Sequence, residues 1–238
     1  MIKRIRFAAK GPARTSESFS ATWRQVSSMV AVAPTDVRPL RIALCTALPE
    51  VIPDPIHDAI SLEWFGDLSH LDRFTTWLDE SAGLPVRHAM EQSPDIAGGP
   101  LVVADELVLR GSDWLEQRWV VGGPKVKHMA IATRAADLTF AEFSERWKGR
   151  AGKIHRPGDA QPIVIPDRAR GQAYVQNHPQ VRETGDWAYD AINEVYFDGV
   201  EGLRARVEWF NENLQEQAEQ DLVREASFIA VREESLLS

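Results

Sequence analysis

The sequence lacks several features that mark whole classes of protein. It contains a single cysteine, Cys45, in 238 residues, so no disulfide can form within the chain and secretion gains no support. No run of about 18 apolar residues is present, which argues against a membrane-spanning helix. The basic start of the chain is not followed by the apolar segment of a signal peptide. These absences favour a soluble cytoplasmic protein with no membrane partner.

Positive charge and cofactor motifs are also scarce. The chain has 35 acidic and 27 basic residues and a net charge of −8, which argues against nucleic-acid binding but allows one local basic pocket for an acidic substrate. Gly98-Gly99-Pro100 and Gly122-Gly123-Pro124 lack the residues that complete a phosphate-binding loop. The six histidines show no short metal-ligand spacing. We therefore expect no metal and no cofactor, and leave open a haem held by one histidine.

What the chain does contain is an internal repeat. With an offset of 124 residues, six residues from Lys3 to Trp23 match identical residues from Lys127 to Trp147. With an offset of 132, eight residues from Arg38 to Glu80 match residues from Arg170 to Glu212. A third offset, 121, relates Leu101, Val102 and Leu115 to Leu222, Val223 and Leu236. The repeat predicts two similar domains, residues 1–121 and 125–238, with Gly122-Gly123-Pro124 as the linker.

Each half has the pattern strand, helix, strand, strand, helix, strand. Apolar residues spaced three and four apart mark the helices, including a long one predicted over Val200–Gln220, and Thr139 with Glu142 forms a capping-box pattern. A βαββαβ unit is the ferredoxin-like plan, whose antiparallel sheet carries helices on one face only. A second copy of the sheet is the simplest cover for the other face. The predicted fold is therefore α+β, with two tandem ferredoxin-like repeats that form an intramolecular dimeric α+β barrel.

The changes of offset locate two insertions. The second half gains eight residues between Trp147 and Arg170, and the first half gains eleven between Glu80 and Leu101. Long loops within compact domains often act as lids or binding loops, although disorder is an equal alternative. His155 and Arg156 lie in the first of these segments and are candidates for a lid.

Three segments resemble a known family. Tyr174-Val-Gln-Asn-His178, Tyr189-Asp190-Ala-Ile-Asn-Glu194-Val-Tyr196-Phe197 and Val103-Ala104-Asp105-Glu106 are similar to strands of the EthD family of dimeric α+β barrel proteins. That family often carries a histidine shortly after the tryptophan of its first helix, where this chain has Ala151 and Ser27. The resemblance implies the fold but not one reaction, because the wider superfamily includes cofactor-free isomerases, dehydratases, quinone-forming monooxygenases and some haem enzymes.

Strand alternation predicts which side chains meet inside the barrel. In the third strand of the second half, Phe197 should face the helices, which turns Asp190, Glu194 and Tyr196 inward. In the second strand of that half, one face carries three further polar side chains, Tyr174, Gln176 and His178. In the first strand, the apolar Met129 and Ile131 should pack on helices, which leaves His128 toward the barrel.

The first half is largely apolar at the equivalent positions. The counterparts are Arg4, Ile42, Leu44, Thr46, Leu62 and Trp64. A polar inner face in one copy only is what a single active site would look like, since an unpaired buried polar group costs roughly 1–3 kcal/mol. We expect Ile42, Leu44, Leu62 and Trp64 to hold the flat part of a substrate. Arg4 and Arg6 would attract a carboxylate, unless they are exposed charges at a strand start.

Residue chemistry assigns roles to the second-half set. His178 is the candidate general acid or base, with Glu194 or Asp190 to orient it or to act as the base, and His128 is a second acid/base candidate. Tyr174 and Tyr196 would donate to an oxyanion, with Gln176 as a binding residue. Each has a structural alternative: a solvated strand end for His178, a cap for Asp190, which matches Asp58, and core packing for the tyrosines. Cys45 is expected under a helix.

These roles favour a cofactor-independent lyase (dehydratase) or isomerase acting on a small hydrophobic carbonyl or aromatic compound. The alternatives are an oxidoreductase of the same fold, either a cofactor-free monooxygenase or a haem enzyme, and a non-catalytic small-molecule-binding protein. The expected partner is a small-molecule substrate, and exposed sheet edges make a homodimer plausible.

Overall fold

The computed structural model describes residues 1–123, 125–150, 153, 161–213 and 222–237. Within them the strands are Ile2–Ala8 (β1), Arg41–Ala47 (β2), Ala59–Phe65 (β3), Leu101–Arg110 (β4), Lys125–Arg134 (β5), Ala173–Pro179 (β6), Ala191–Phe197 (β7) and Val223–Leu237 (β8). The helices are Ser16–Ser28 (α1), Leu68–Asp79 (α2), Leu84–Gln92 (α3), Pro94–Ala97 (α4), Ser112–Val121 (α5), Phe140–Arg150 (α6), Asp167–Arg170 (α7) and Val200–Asn213 (α8), with a 3-10 turn at Met29–Val32.

The strands close into one barrel in the order β1-β3-β2-β8-β5-β7-β6-β4. The first half supplies the sheet β4-β1-β3-β2, and the second half repeats it as β8-β5-β7-β6, with antiparallel pairing throughout. The two sheets join where β2 pairs with β8 and β4 pairs with β6. The predicted fold, two ferredoxin-like repeats that form one α+β barrel within the chain, is confirmed.

Strand register tests the repeat offsets directly. Arg4 pairs with Glu63, and His128 pairs with Val195, so the offsets of 124 and 132 both hold. For the fourth strand the offset of 121 is wrong: Ile5 pairs with Val102 while Met129 pairs with Ile229, an offset of 229 − 102 = 127. The chance recurrence of Leu and Val in two apolar strands produced the earlier alignment.

Four of the described helices, α3, α4, α5 and α7, were not predicted. Helices α3 and α4 occupy the first-half insertion, and α3 packs Val86 and Met90 into the core beneath α1 and α2 rather than forming an open loop. Helix α5 closes one end of the barrel, where Leu115 and Trp119 join the interior core. The side chains of α3 therefore fill space between the first-half sheet and its helices.

The sheet separates two cores. The barrel interior contains apolar side chains from both halves, among them Ile5, Leu62 and Met129, whereas α1 and α2 cover the outer face of the first-half sheet. Cys45 lies inside the barrel and not under a helix, because its strand is in the opposite phase to the one expected. Burial raises the pKa of its thiol to about 12.

Local signals define several element boundaries. Thr139 and Glu142 form the predicted capping box at the start of α6, with the Glu142 carboxylate accepting from the Thr139 amide at 2.9 Å. Helix α8 begins at Val200 as predicted and is described to Asn213. The rest of the helix predicted to Gln220, Pro124 of the predicted linker, and His155 and Arg156 lie outside the described residues. No helix in the described part of the chain is long and apolar enough to cross a membrane.

Gly111, between β4 and α5, is where the fold depends most clearly on a glycine. Its φ of +77° is left-handed, and a Cβ there would lie 2.3 Å from the Gln172 carbonyl oxygen. We expect Gly111→Ala to lower the free energy of unfolding by about 2 kcal/mol or more, because backbone strain and overlap add. Urea denaturation measures this, with Gly98→Ala as the control, since a Cβ at Gly98 meets nothing within 4 Å. Equal stability of the two variants would contradict the assignment.

Candidate functional site

The sequence-predicted site residues lie on both faces of the sheet. Glu194 and Tyr196 point into the barrel, as predicted. Tyr174 and His128, however, each pair directly with Val195, and residues directly opposite in paired strands share a face. They therefore face the helices, together with Gln176 and His178 from the same strand face. The expectation failed because the barrel interior contains an apolar core of its own, in which Met129 and Ile131 pack.

The first-half candidates divide in the same way. Leu62 and Trp64 lie inside the barrel. Ile42 and Leu44 lie on the outer face, packed in the core under α1 and α2. Arg4 and Arg6 are on that outer face as well, and they do not line the barrel. The predicted apolar wall is therefore not one surface.

Arg4 is a buried ion-pair partner and not a solvent-exposed charge. Its Nε donates to Glu63 Oε2 at 2.5 Å, and its guanidinium lies 4.8 Å from the centre of the Phe74 ring. Burial, with a contribution from Arg4, lowers the pKa of Arg6 to about 10.

The barrel interior holds a buried ion network that joins the two halves. Lys3 donates to Glu194 at 2.6 Å and pairs with Glu106, while Lys127 pairs with Glu194 and, at 2.7 Å, with Glu233. Lys3 and Lys127 are equivalent in the repeat, and Glu106 and Glu233 are equivalent under the corrected offset of 127. Glu194 bridges these two symmetric pairs, and its own counterpart is the apolar Leu62.

The network is electrically compensated. Burial disfavours the ionised form of Glu194, but Lys127 and Lys3 outweigh it and hold the pKa of that carboxyl well below its usual range. The Tyr196 hydroxyl donates to Glu194 at 2.9 Å, and burial together with the carboxylates raises its pKa. Glu194 and Tyr196 line neither of the two cavities described below, so they do not assemble with the other candidates.

Asp190 and its first-half counterpart Asp58 make the same backbone contact. Asp190 accepts from the Arg134 backbone amide at 2.8 Å and pairs with the Arg134 guanidinium, while its counterpart Asp58 accepts from the Lys10 amide at 2.7 Å. This matches the structural alternative, a strand-end cap. His178 is buried at the end of β6 and lines neither cavity. Burial and Lys148 lower its pKa.

A cavity lies outside the barrel, on the helix-facing side of the second half. It has a volume of about 690 Å³ and is bounded by the outer face of β5, β6, β7 and β8, by α6 and α8, and by residues 162–165. His128, Tyr174 and Gln176 are the predicted site residues that meet there. A second cavity of about 490 Å³ shares His128, Phe210 and Phe228 with it and reaches residues 51–53 of the first half.

Part of the second-half insertion, for which a lid was one alternative, lines this cavity. Ile163 and Ile165, from the insertion between Trp147 and Arg170, line its wall. The first-half insertion does not cover the cavity, because α3 packs on the core of its own half.

The described wall of the cavity carries cationic side chains, and two of them, Arg206 and Arg110, contact carbonyl oxygens and no carboxylate within the described residues. Six cationic side chains line the cavity, and the described lining residues include no aspartate or glutamate; the cations are Arg110, Arg150, Lys153, Arg170, Arg206 and Arg224. Arg206 is 7% exposed, donates from Nη1 to the Ala169 carbonyl at 2.9 Å, and lies 4.3 Å from the centre of the Phe210 ring. Arg110 donates to the Gly171 and Arg170 carbonyl oxygens, each at 2.6 Å.

Carbonyl oxygens hold these two guanidinium groups without neutralising them. Burial lowers the pKa of Arg206 to about 10, and Arg110 contributes to the shift. Burial also lowers the pKa of Arg110, with Arg170 as the next cause. Both arginines remain protonated at neutral pH, and within the described residues neither contacts a carboxylate.

The equivalent positions of the first half show a different arrangement of charge. The repeat aligns Arg206 with Phe74, His128 with Arg4, and Val195 with Glu63. In the first half the strand arginine is neutralised by Glu63. In the second half the corresponding cation is Arg206 on helix α8, and Val195 stands at the position of Glu63. Sequence reasoning missed Arg206, although an arginine at the position of the buried Phe74 was a readable signal.

His128 is neutral, and its geometry does not suit a ligand of haem iron. Burial and the charge of Arg206 lower its pKa well below the usual value. Its Nδ1 accepts from Arg206 Nε at 3.3 Å, which places the proton on Nε2 and leaves no free imidazole lone pair for iron. No other described residue of the cavity wall is a histidine. The described part of the chain also contains no group of three or more His, Cys, Asp or Glu residues suited to a metal.

Comparisons with known proteins show the fold. No family model matches the sequence, and no curated protein matches it. An anthrone oxidase-like protein of known structure is similar with a TM-score of 0.54 and 11% identity, over 98% of this chain and 92% of that chain. The chain has the dimeric α+β barrel fold. At this identity the likeness extends to the fold alone.

Two further solved structures are similar over most of the chain. A protein proposed to be a monooxygenase from Fusobacterium nucleatum has a TM-score of 0.48 and 8% identity, over 98% of this chain and 92% of that chain. A chlorite dismutase from Candidatus Nitrospira defluvii has a TM-score of 0.43 and 10% identity, over 98% of this chain and 90% of that chain.

The interior network predicts a large stability effect at Glu194. We expect Glu194→Gln to lower the free energy of unfolding by about 3–5 kcal/mol, because Lys3, Lys125 and Lys127 then share only Glu106 and Glu233, and one buried positive charge is left uncompensated. Urea denaturation at pH 7 measures the change. Glu234→Gln is the matched control, since its pair with Arg24 is half exposed and contributes about 1 kcal/mol or less.

The pH dependence of the free energy of unfolding also tests whether Glu194 pairs with the buried lysines. The folded-state pKa of Glu194 is depressed, so its contribution is present above the unfolded value of about 4.3 and is lost as the pH falls below it. Stability of Glu194→Gln should therefore fall less steeply than that of the wild type below about pH 4. Equal slopes, or a variant as stable as the wild type at pH 7, would show that Glu194 does not bridge the lysines.

Proposed function

We propose that the protein is a cofactor-independent oxidoreductase that binds a flat, mostly apolar small molecule as an anion and promotes its oxidation by O₂. The observation that carries this proposal is that Arg206 and Arg110, on the wall of the 690 Å³ cavity, contact carbonyl oxygens and no carboxylate within the described residues. This replaces the lyase or isomerase favoured by the sequence with the oxidoreductase alternative.

Electrostatics supports an anionic ligand. Arg206 and Arg110 are desolvated by burial and lack carboxylate partners within the described residues, so an anion in the cavity would supply the missing charge. Apolar side chains such as Ile163, Val195 and Phe228 line the same space and suit a flat skeleton. A phenolate or enolate combines both properties, and a nearby cation lowers the pKa of the phenol or enol that forms it.

The cavity does not favour elimination or isomerisation. Those reactions need a positioned general acid or base, and the described lining has no carboxylate. His128 is neutral, but Arg206 occupies its Nδ1 lone pair. Oxidation of a substrate that ionises readily needs less from the protein: stabilisation of the anion, and O₂ as the second reactant.

The reaction balances without a bound cofactor. An activated methylene between aromatic rings loses one proton to solvent and forms an enolate, which Arg206 stabilises. Electron transfer from the enolate to O₂ and joining of the two radicals forms a carbon–oxygen bond. The second carbon–hydrogen bond and the oxygen–oxygen bond then break, giving the ketone and one water: R₂CH₂ + O₂ → R₂C=O + H₂O. The anthrone oxidase-like neighbour supplies this reaction class through its name.

The remaining assignments belong to the same proposal. We assign the chain to an EthD-like group on the strand motifs around Tyr174 and Tyr196, and we place it in the cytoplasm. A binding protein without catalysis is the competing outcome of the experiment below.

Oxygen uptake with anthrone tests the proposal. The wild type should consume one O₂ per ketone formed, faster than autoxidation and in the presence of EDTA. Arg206→Gln should lower kcat/KM about 10- to 100-fold, the range expected on loss of a charged hydrogen bond. It should also move the pH profile to higher pH, because the substrate then ionises without the cation. Arg206→Lys, which keeps the charge, should restore part of the rate.

The control variant is Arg73→Gln on the exposed face of α2, which makes the same charge change outside the cavity and should leave the rate unchanged. Binding of anthrone without oxygen uptake would favour the non-catalytic alternative. Turnover of a carbonyl substrate without oxygen would return the protein to the lyase class.

A further inference from the structure

The cavity wall contains two amide oxygens with no hydrogen-bond donor. Gln176 is 1% exposed, and its Nε2 donates to the Tyr174 hydroxyl at 3.1 Å, which leaves Oε1 as the free end of the amide. Gln176 Oε1 and Asn193 Oδ1 are both buried, and neither has a hydrogen-bond partner among the residues that the structure describes. Both residues line the 690 Å³ cavity.

These two acceptors lie side by side. Gln176 pairs directly with Asn193 across β6 and β7, so the two side chains leave the sheet on the same face as neighbours. Buried amide oxygens are rarely left unpaired, because an unsatisfied acceptor costs free energy comparable to a lost hydrogen bond. Two adjacent acceptors on a cavity wall are suited to a ligand group that donates hydrogen bonds.

The repeat again supplies the comparison. The equivalents of Gln176 and Asn193 are Leu44 and Ser61, both buried in the first half. Leu44 packs in the core under α1 and α2 and lines neither of the two cavities described above. The acceptor pair therefore occurs in the half that has the cavity.

We propose that Gln176 and Asn193 recognise a hydroxyl group on the ligand, so that the ligand is a hydroxylated aromatic anion and not a plain aromatic acid. This inference rests on the proposed function for the anion site and adds a second recognition element to it. Arg206 holds the charged group, the amide pair accepts from the hydroxyl, and the apolar wall contacts the rings between them. A hydroxyl that satisfies a buried acceptor is selected strongly over an analogue that lacks it.

Binding of naphthoates to the intact protein tests the inference. The probes are 2-naphthoate and a positional series of hydroxy-2-naphthoates, titrated by calorimetry. At least one isomer should bind about tenfold tighter than 2-naphthoate. Gln176→Leu, which installs the first-half residue, should abolish this preference, so that the hydroxy-2-naphthoates and 2-naphthoate bind with equal affinity.

Asn193→Ser, the other first-half residue, provides a second variant if Gln176→Leu fails to fold, and it should reduce the preference as well. Gln180→Leu is the matched control, because Gln180 bonds Asp105 outside the cavity. Its preference should equal that of the wild type.

The outcomes separate the two proposals. If 2-naphthoate binds in an Arg206-dependent manner but no isomer is preferred, the inference about the amide pair is wrong and the anion site stands. If the tighter binding of a hydroxy-2-naphthoate persists in both Gln176→Leu and Asn193→Ser, the inference about the amide pair is likewise wrong. If no naphthoate binds, the anion site itself is wrong, and the hydroxyl inference falls with it.

Discussion

The ion network inside the barrel is the contact on which the rest of the architecture depends. The side chains of Lys3, Lys127 and Glu194 have no exposed surface, so the charge of each must be compensated by another. Lys3 and Lys127 enter from equivalent positions of the two repeats, and each is paired with its own glutamate. Glu194 contacts both lysines and so links one half of the chain to the other. This bridge breaks the symmetry of the duplicated fold at its centre.

The network also explains why the candidate site lies elsewhere. Three lysines, counting Lys125, and three glutamates fill one end of the interior with paired charges, and Trp119 of α5 packs over that end. A substrate would have to displace paired charges to enter. The outer face of the second sheet carries no such restraint, because its helices leave a cavity between themselves and the strands.

The difference between the halves is a difference in how one positive charge is neutralised. Where the first half pairs Arg4 with Glu63, the second half carries Arg206 on a helix, with Val195 in place of the carboxylate. The first half therefore has a compensated core contact, and the second has a cation that faces a cavity. At these positions the two halves therefore differ by one carboxylate and by which element carries the arginine.

The sequence alone determined the element pattern, the duplication and hence the barrel, because apolar periodicity and matched spacing are local properties that recur in both halves. It also singled out His128, Tyr174 and Gln176. It could not decide which face each strand turns inward: alternation sorts side chains into two sets, but both faces of this sheet are buried against apolar cores. Only the pairing of His128 and Tyr174 with Val195 separated the cavity residues from Glu194. The partners of Lys3 and Arg206 likewise lie far away in the chain, so only the tertiary structure decided which charges have a carboxylate partner within the described residues and which do not.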